Sequence, residues 1–369
     1  MKRILFVVGT RPEIVKTAPV IQTLRRDRAF KVGVCLSGQH IRMVTQMLRD
    51  FDLDLDFDLK IMRHKQTLVS ISKKLMPKLE KVYSEFRPDM VFVQGDTTTA
   101  FVASLVAFYH NIEVAHIEAG LRTFDKYFPF PEEMNRTLIG RIADRHYAPT
   151  PKARENLLAE GVKPSNIRVT GNTGIDSLKF ILSGDHGYAD GALNKLPNDR
   201  EIVLITAHRR ENFGKRFDNI LAAIKRLAKS RPDVEFIYPV HPNPHVKEPA
   251  FAKLGGIGNV KLLPSLDYSD LVRVMSRARF ILTDSGGIQE EAPYLGKPVL
   301  ILRDKTERPE AVKAGAAMVV GTDTGRICDL AGRLLTDTPL YKKMAVKRNV
   351  FGDGKAAQRI MEDLKKRKV

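Results

Sequence analysis

Hydrophobic and polar positions follow two alternating periods along the 369 residues. Short, β-branched apolar runs at residues 4–8, 32–36, 90–93 and 113–117 predict buried strands. Between them, Ile14, Val15, Ala18, Ile21 and Leu24 recur at helical spacing, and Pro12 suits that helix's first turn. Further helices are predicted at residues 68–86, about 100–109 and 133–143. Residues 50–59 alternate Asp with apolar side chains and predict an extended edge segment. Pro129 and Pro131 predict a shaped loop before the helix at 133. Short strands ending near 147–150 and 167–172, and a helix over 176–182, complete the first half.

Residues 183–200 are rich in Gly, Asp, Asn and Pro and predict a linker. The pattern then restarts. Strands are predicted at 202–205, 235–239, 260–263, 280–282 and 317–320, with helices at about 217–230 and 269–276. The run from Phe280 to Ile301 reads strand, small-residue turn, helix, turn, strand. Gly352-Asp353-Gly354 sets off a last helix over 355–366. Repeated βα alternation implies parallel sheets. The expected organisation is α/β: an N-terminal domain over residues 1–182, the linker 183–200, a C-terminal domain over 201–352, a cleft between the two, and a helix over 353–369 packing back on the first.

Composition narrows the class. A hydrophobic content of 43% supports real cores, no run approaches a membrane span, and the opening residues do not read as a signal peptide. Two distant cysteines, Cys35 and Cys328, fit no zinc spacing and no disulfide framework, which points to a reducing cytoplasm. The net charge of +18 is scattered, so a solvated basic surface is favoured over nucleic-acid or membrane binding.

In parallel sheets, ligands bind beyond the carboxyl ends of the strands. Arg11, His40, Asp96 and Glu118 all follow predicted strand ends. Ser285, Gly286 and Gly287 open a helix whose free N–H groups suit a diphosphate, and Glu291, one turn on, suits ribose hydroxyls. Asp96, Glu118, Glu132 and His208 form the candidate proton-handling set. Each has a structural alternative: Asp96 as a helix cap, Glu118 as a partner of Arg122, Glu132 as a first-turn carboxylate, His208 as a packed loop residue. A metal site from His208, His241 and His245 is disfavoured, because Pro242 and Pro244 forbid a helix there.

Seven ordered motifs carry a resemblance. Gly9-Thr10-Arg11-Pro12-Glu13, Gly95-Asp96-Thr97-Thr98-Thr99, His116-Ile117-Glu118-Ala119-Gly120-Leu121-Arg122, Pro131-Glu132-Glu133-Met134-Asn135-Arg136, His208-Arg209-Arg210-Glu211, the run from Asp284 to Glu291, and Thr306-Glu307-Arg308-Pro309-Glu310 resemble the non-hydrolysing UDP-N-acetylglucosamine 2-epimerases. The likeness spans residues 4 to about 359. It implies two Rossmann-like domains of the glycosyltransferase-B type and reversible conversion of UDP-GlcNAc to UDP-ManNAc. The route it implies is anti elimination of UDP to 2-acetamidoglucal and re-addition, serving surface polysaccharide synthesis without nicotinamide or metal. It further implies catalytic roles for Asp96, Glu118, Glu132 and His208. Arg11, Lys16, Ser285, Gly286, Gly287, Glu291 and Arg308 would bind the UDP-sugar, with the uracil near Leu266 and Leu271. A homodimer is expected by the same likeness. Gln39 and His40 match the start of a second, allosteric UDP-GlcNAc site. Arg42 and Lys65 depart from its pattern, and Lys lacks a guanidinium's bidentate grip, so the resemblance does not carry allosteric activation over. The alternatives are a UDP-sugar transferase of the same fold, or an epimerase of a related UDP-2-acetamido sugar.

Overall fold

The computed structural model describes residues 1–38, 41–61, 66–184, 187–197 and 199–366, with residues 41–45 described by backbone alone. The chain forms two compact units, Met1–Ser183 with Phe351–Val369, and Gly184–Val350.

The first unit is built on strands β1 (Lys2–Val8), β2 (Phe30–Leu36), β3 (Phe57–Asp58), β4 (Met90–Gln94), β5 (Glu113–Ile117), β6 (Arg145–Ala148) and β7 (Ile167–Val169). They pair in parallel in the order β3-β2-β1-β4-β5-β6-β7. Residues 4–8 of β1 and 90–93 of β4 are almost wholly buried, as expected where helices cover both faces of a parallel sheet. Those helices are α1 (Arg11–Arg25), α2 (Ile41–Asp50), α3 (Leu68–Phe86), α4 (Thr98–Tyr109), α5 (Glu132–Ile142), α6 (Pro151–Ala159) and α7 (Thr173–Ser183).

The second unit repeats the scheme. Strands β8 (Glu201–Thr206), β9 (Val234–Pro239), β10 (Val260–Leu263), β11 (Phe280–Thr283), β12 (Val299–Ile301) and β13 (Ala317–Val319) lie parallel in the order β10-β9-β8-β11-β12-β13. Helices α8 (Lys215–Ser230), α9 (Pro244–Leu254), α10 (Tyr268–Arg277), α11 (Gly286–Glu291), α12 (Pro309–Lys313), α13 (Thr324–Thr336) and α14 (Thr338–Met344) flank them. In both units the strand order reverses beside the first strand, between β1 and β4 and between β8 and β11. That reversal is the usual ligand position of such sheets.

Three helices differ from the sequence-based expectation. Most of the predicted edge segment at 50–59 is loop, and only the two-residue β3 pairs, while α2 precedes it. The signal for α2 was Val44, Met47, Leu48 and Phe51 at helical spacing; Met47 and Phe51 are buried. The short α6 is set by its cap, with the Ala153 N–H donating to Thr150 Oγ1 at 3.2 Å. The prolines near 242 do not exclude a helix either. Pro244 occupies the first turn of α9, where its missing N–H costs nothing, and leaves His241 outside and His245 inside.

The last helix, α15 (Ala356–Lys366), packs on α1 and α7. The Ala356 and Ala357 N–H groups donate to the Asp176 carboxylate at 3.2 and 3.0 Å. Asp363 accepts from Arg145 Nη2 at 2.5 Å and from the Tyr147 hydroxyl at 3.3 Å, both on β6. The Arg145 side chain is 4% exposed, so it relies on that anion. Asp363→Ala is expected to destabilise the first unit by about 3 kcal/mol, read by urea unfolding; an unchanged midpoint would show that the helix docks without this pair.

Candidate active site

Asp96 lies in the β4–α4 loop and Glu118 follows β5, so register places both at the same rim of the first sheet. Asp96 does not cap α4. That role falls to Thr97, whose Oγ1 accepts the Ala100 N–H at 3.0 Å. Instead the Asp96 carboxylate lies 3.3 Å from Arg136 Nη1, and its backbone carbonyl accepts from Asn135 Nδ2 at 2.9 Å. Glu118 does not pair with Arg122 either. Arg122 grips Glu160 through Nε and Nη2 at 2.6 and 2.8 Å. Glu118 takes Lys16 Nζ at 2.5 Å and a hydrogen bond from Gln94 Nε2. Its φ of +65° is unusual for a side chain of its size and turns it off the strand line. Glu132 is the first residue of α5.

Asp96, Glu132 and Asn135 line one pocket of about 200 Å³ with Thr10, Thr97, Thr98, Thr99, Pro131, Leu68 and Ile71. Burial, the charge of Glu118 and that of Glu132 push Asp96 up to about 6, against the pull of Arg136 and Lys16. Asp96 can therefore hold or release a proton near neutrality, as acid–base chemistry requires. Gly9 is forced by close approach: a Cβ there would lie 2.5 Å from Thr99 Oγ1 and 2.8 Å from Ser37 Oγ.

The second unit holds the other predicted residues. His208 follows β8, and its backbone N–H donates to the buried Asp284 carboxylate at 2.9 Å, as does that of Arg209. Asp284 thus orients the β8 loop rather than capping α11; Ser285 takes the N-cap position. The His208 ring stacks on His241 at 5.4 Å, and burial lowers its pKa, with Asp284 opposing and His241 adding to the shift. His245 packs on Phe213 instead, and among the described residues no three His, Cys, Asp or Glu groups converge as metal ligands. A Cβ added to Gly286 would lie 3.7 Å from Arg209 Nη2 and 3.8 Å from Arg308 Nη2, so two guanidinium groups flank the start of α11. Arg308 is held by Glu290. Glu291 accepts from the Tyr268 hydroxyl at 3.1 Å, two residues beyond the buried Leu266; Leu271 lies in α10. Arg11 opens α1. Gln39, His40 and Lys65 lie outside the described residues, as does the Arg42 side chain.

The family profile described as UDP-N-acetylglucosamine 2-epimerase matches residues 22–365. The chain belongs to the UDP-N-acetylglucosamine 2-epimerase family. It is 48% identical over 373 residues to the UDP-N-acetylglucosamine 2-epimerase of Yersinia pestis, covering 100% of this chain and 99% of that one. The crystal structure of the UDP-GlcNAc 2-epimerase from Neisseria meningitidis bound to UDP-GlcNAc is 44% identical, with a TM-score of 0.91 over 99% of this chain and 100% of that one. The glycotransferase of kitacinnamycin shares the fold alone, at 15% identity and a TM-score of 0.66 over 98% of each chain. Epimerases are isomerases, and within this epimerase family fold the two α/β units are of the glycosyltransferase-B type.

Sequence reasoning did not assign roles to Gln94, Arg136, Asn135 or Arg209. Gln94 carried a signal: it is a polar residue closing an otherwise apolar strand. Because the Glu118 charge raises Asp96, Glu118→Gln is expected to lower the Asp96 midpoint from about 6, followed by carboxyl-carbon NMR of the free protein. A midpoint that stays put or rises would show that the two carboxylates do not interact.

Proposed function

We propose that this chain interconverts UDP-GlcNAc and UDP-ManNAc by elimination and re-addition of UDP. The observation that carries the reading is the grouping of Asp96, Glu118 and Glu132 at one rim of the first sheet, in a chain of this family. One carboxylate accepts the C2 proton as the C1–O bond to UDP breaks, giving 2-acetamidoglucal. UDP then re-adds at C1 while a second group protonates C2 on the opposite face. Inversion by this route needs an acid and a base on different faces of the ring, which a single carboxylate does not supply. Asp96, poised near 6, suits either role.

Lys16 pairs with Glu118, and Arg136 with Asp96. His208, Arg11, Arg209, Arg308 and the N–H groups of Ser285, Gly286 and Gly287 hold the diphosphate. Phosphate oxygens favour guanidinium forks and helix starts. Glu291 takes the ribose, and the backbone near Leu266 and Leu271 takes the uracil. The same reading makes the chain a cytoplasmic homodimer that supplies ManNAc-type sugars for surface polysaccharide. Among the described residues no helix is long and apolar enough to cross a membrane.

Incubation with UDP-GlcNAc in deuterated water is expected to give UDP-ManNAc with deuterium at C2, followed by proton NMR. Absence of both sinks the reading. Asp96→Asn, Glu118→Gln and Glu132→Gln are each expected to lower kcat by about a hundredfold or more, with UDP still bound by calorimetry. A variant that turns over normally removes that residue from the chemistry. Gly286→Ala is expected to keep the thermal midpoint, since its Cβ meets only ordinary contacts, and to weaken UDP binding by about tenfold by intruding between the guanidinium groups. Unchanged UDP affinity would move the diphosphate elsewhere.

A further inference from the structure

Glu13 has no role in the chemistry above, yet it is 1% exposed and both its oxygens are committed. Oε2 accepts the Gly9 and Thr10 N–H groups at 3.1 and 2.6 Å, fixing the loop that leads into Arg11. Oε1 accepts the Thr97 hydroxyl at 2.8 Å, and that hydroxyl in turn accepts the Ala100 N–H. Burial lifts the Glu13 pKa to about 7, opposed by hydrogen bonds from Thr10, Thr97 and Gly9. A capping box explains the bonds to the α1 start. It does not explain why a carboxylate is buried against a second loop, at the cost of desolvation.

That second loop carries Asp96. On its upstream side, the Gly95 N–H donates to Ile117 O at 3.0 Å, and Gly95 O receives His116 Nε2 at 2.7 Å. At Asp96 itself, the carbonyl is held by Asn135. Downstream, the side-chain tie is Thr97 to Glu13. The loop is therefore anchored to β5, to α5 and, through Glu13, to α1.

We propose that Glu13 and Thr97 are a positioning pair that aims the Asp96 carboxylate at the sugar and locks the Arg11 loop to the Asp96 loop. The inference rests on the reading of Asp96 as a group acting on the ring. Loosening the tie lets the Asp96 carboxylate turn toward water. Burial is the main cause of its raised pKa, so release moves its titration downward; Glu118 and Glu132 on one side, and Arg136 and Lys16 on the other, are the charged groups that face it.

The test is a double-mutant cycle on the full chain, with UDP-GlcNAc epimerisation measured across the acid limb of the kcat/KM profile. Thr97→Val keeps the shape and removes the hydroxyl. Glu13→Gln keeps an acceptor for Gly9 and Thr10 and turns an N–H₂ group toward Thr97. Each is expected to lower kcat by about tenfold to a hundredfold, with KM for UDP-GlcNAc within about twofold and the acid limb moved to lower pH. Thr97→Ser restores both, and the double variant loses no more than the worse single one. A lost helix cap alone lowers the melting temperature and leaves the acid limb in place. Wild-type kcat in Thr97→Val, an unmoved acid limb, or losses that multiply in the double variant overturn the proposal. If Thr97→Val does not fold, the position of the acid limb in Glu13→Gln against that in Thr97→Ser decides between the same two outcomes. A wild-type chain inert toward UDP-GlcNAc overturns the activity reading and takes this proposal with it, whereas an active wild type with indifferent variants overturns the proposal alone.

Discussion

A buried carboxylate that binds backbone N–H groups organises each half of this protein. In the first unit Glu13 gathers the Gly9 and Thr10 N–H groups; in the second, Asp284 gathers those of His208 and Arg209. Each sits where the strand order reverses. A loop there emerges from a buried strand and must present functional groups while leaving its own amides satisfied. A carboxylate accepting several N–H bonds answers both needs.

The two units use the same scaffold for opposite electrostatics. Around Asp96, negative charge is crowded: burial, Glu118 and Glu132 raise its pKa, while Arg136 and Lys16 pull it down. Around Gly286, positive charge is crowded, with Arg209 and Arg308 converging on a helix start. The first arrangement favours proton exchange and the second favours anions. A net charge of +18 is consistent with the second, but the local placement of guanidinium groups explains it better than the total does.

The tail of the chain shows how a short element becomes part of a distant core. The α15 helix returns to the first unit through Asp176, Arg145 and Tyr147, residues separated from it by most of the sequence. Gly352 makes the return possible, with φ of +146° and its backbone close against Gly171 and Asn172. Lys365 adds a surface pair with Asp27 of the α1–β2 turn, which contributes little beside the buried contacts.

Periodicity alone determined the alternating βα plan, because a strand buried on both faces is apolar throughout and an amphipathic helix repeats every three to four residues. The strand and loop pattern also placed Asp96, Glu118 and His208 beyond strand ends, and Glu132 at a helix start. Short elements escaped: α2, α6 and α9 are set by caps and by docking more than by long apolar repeats. Partner choice escaped as well. Neighbourhood in sequence pointed Glu118 to Arg122 and Asp96 to a helix cap, whereas folding gave Glu118 to Lys16, Asp96 to Arg136 and the cap to Thr97. Side-chain type and order are local properties of the chain. Which charge meets which, and how much water each keeps, depends on packing between segments far apart in sequence, and only the tertiary structure decides it.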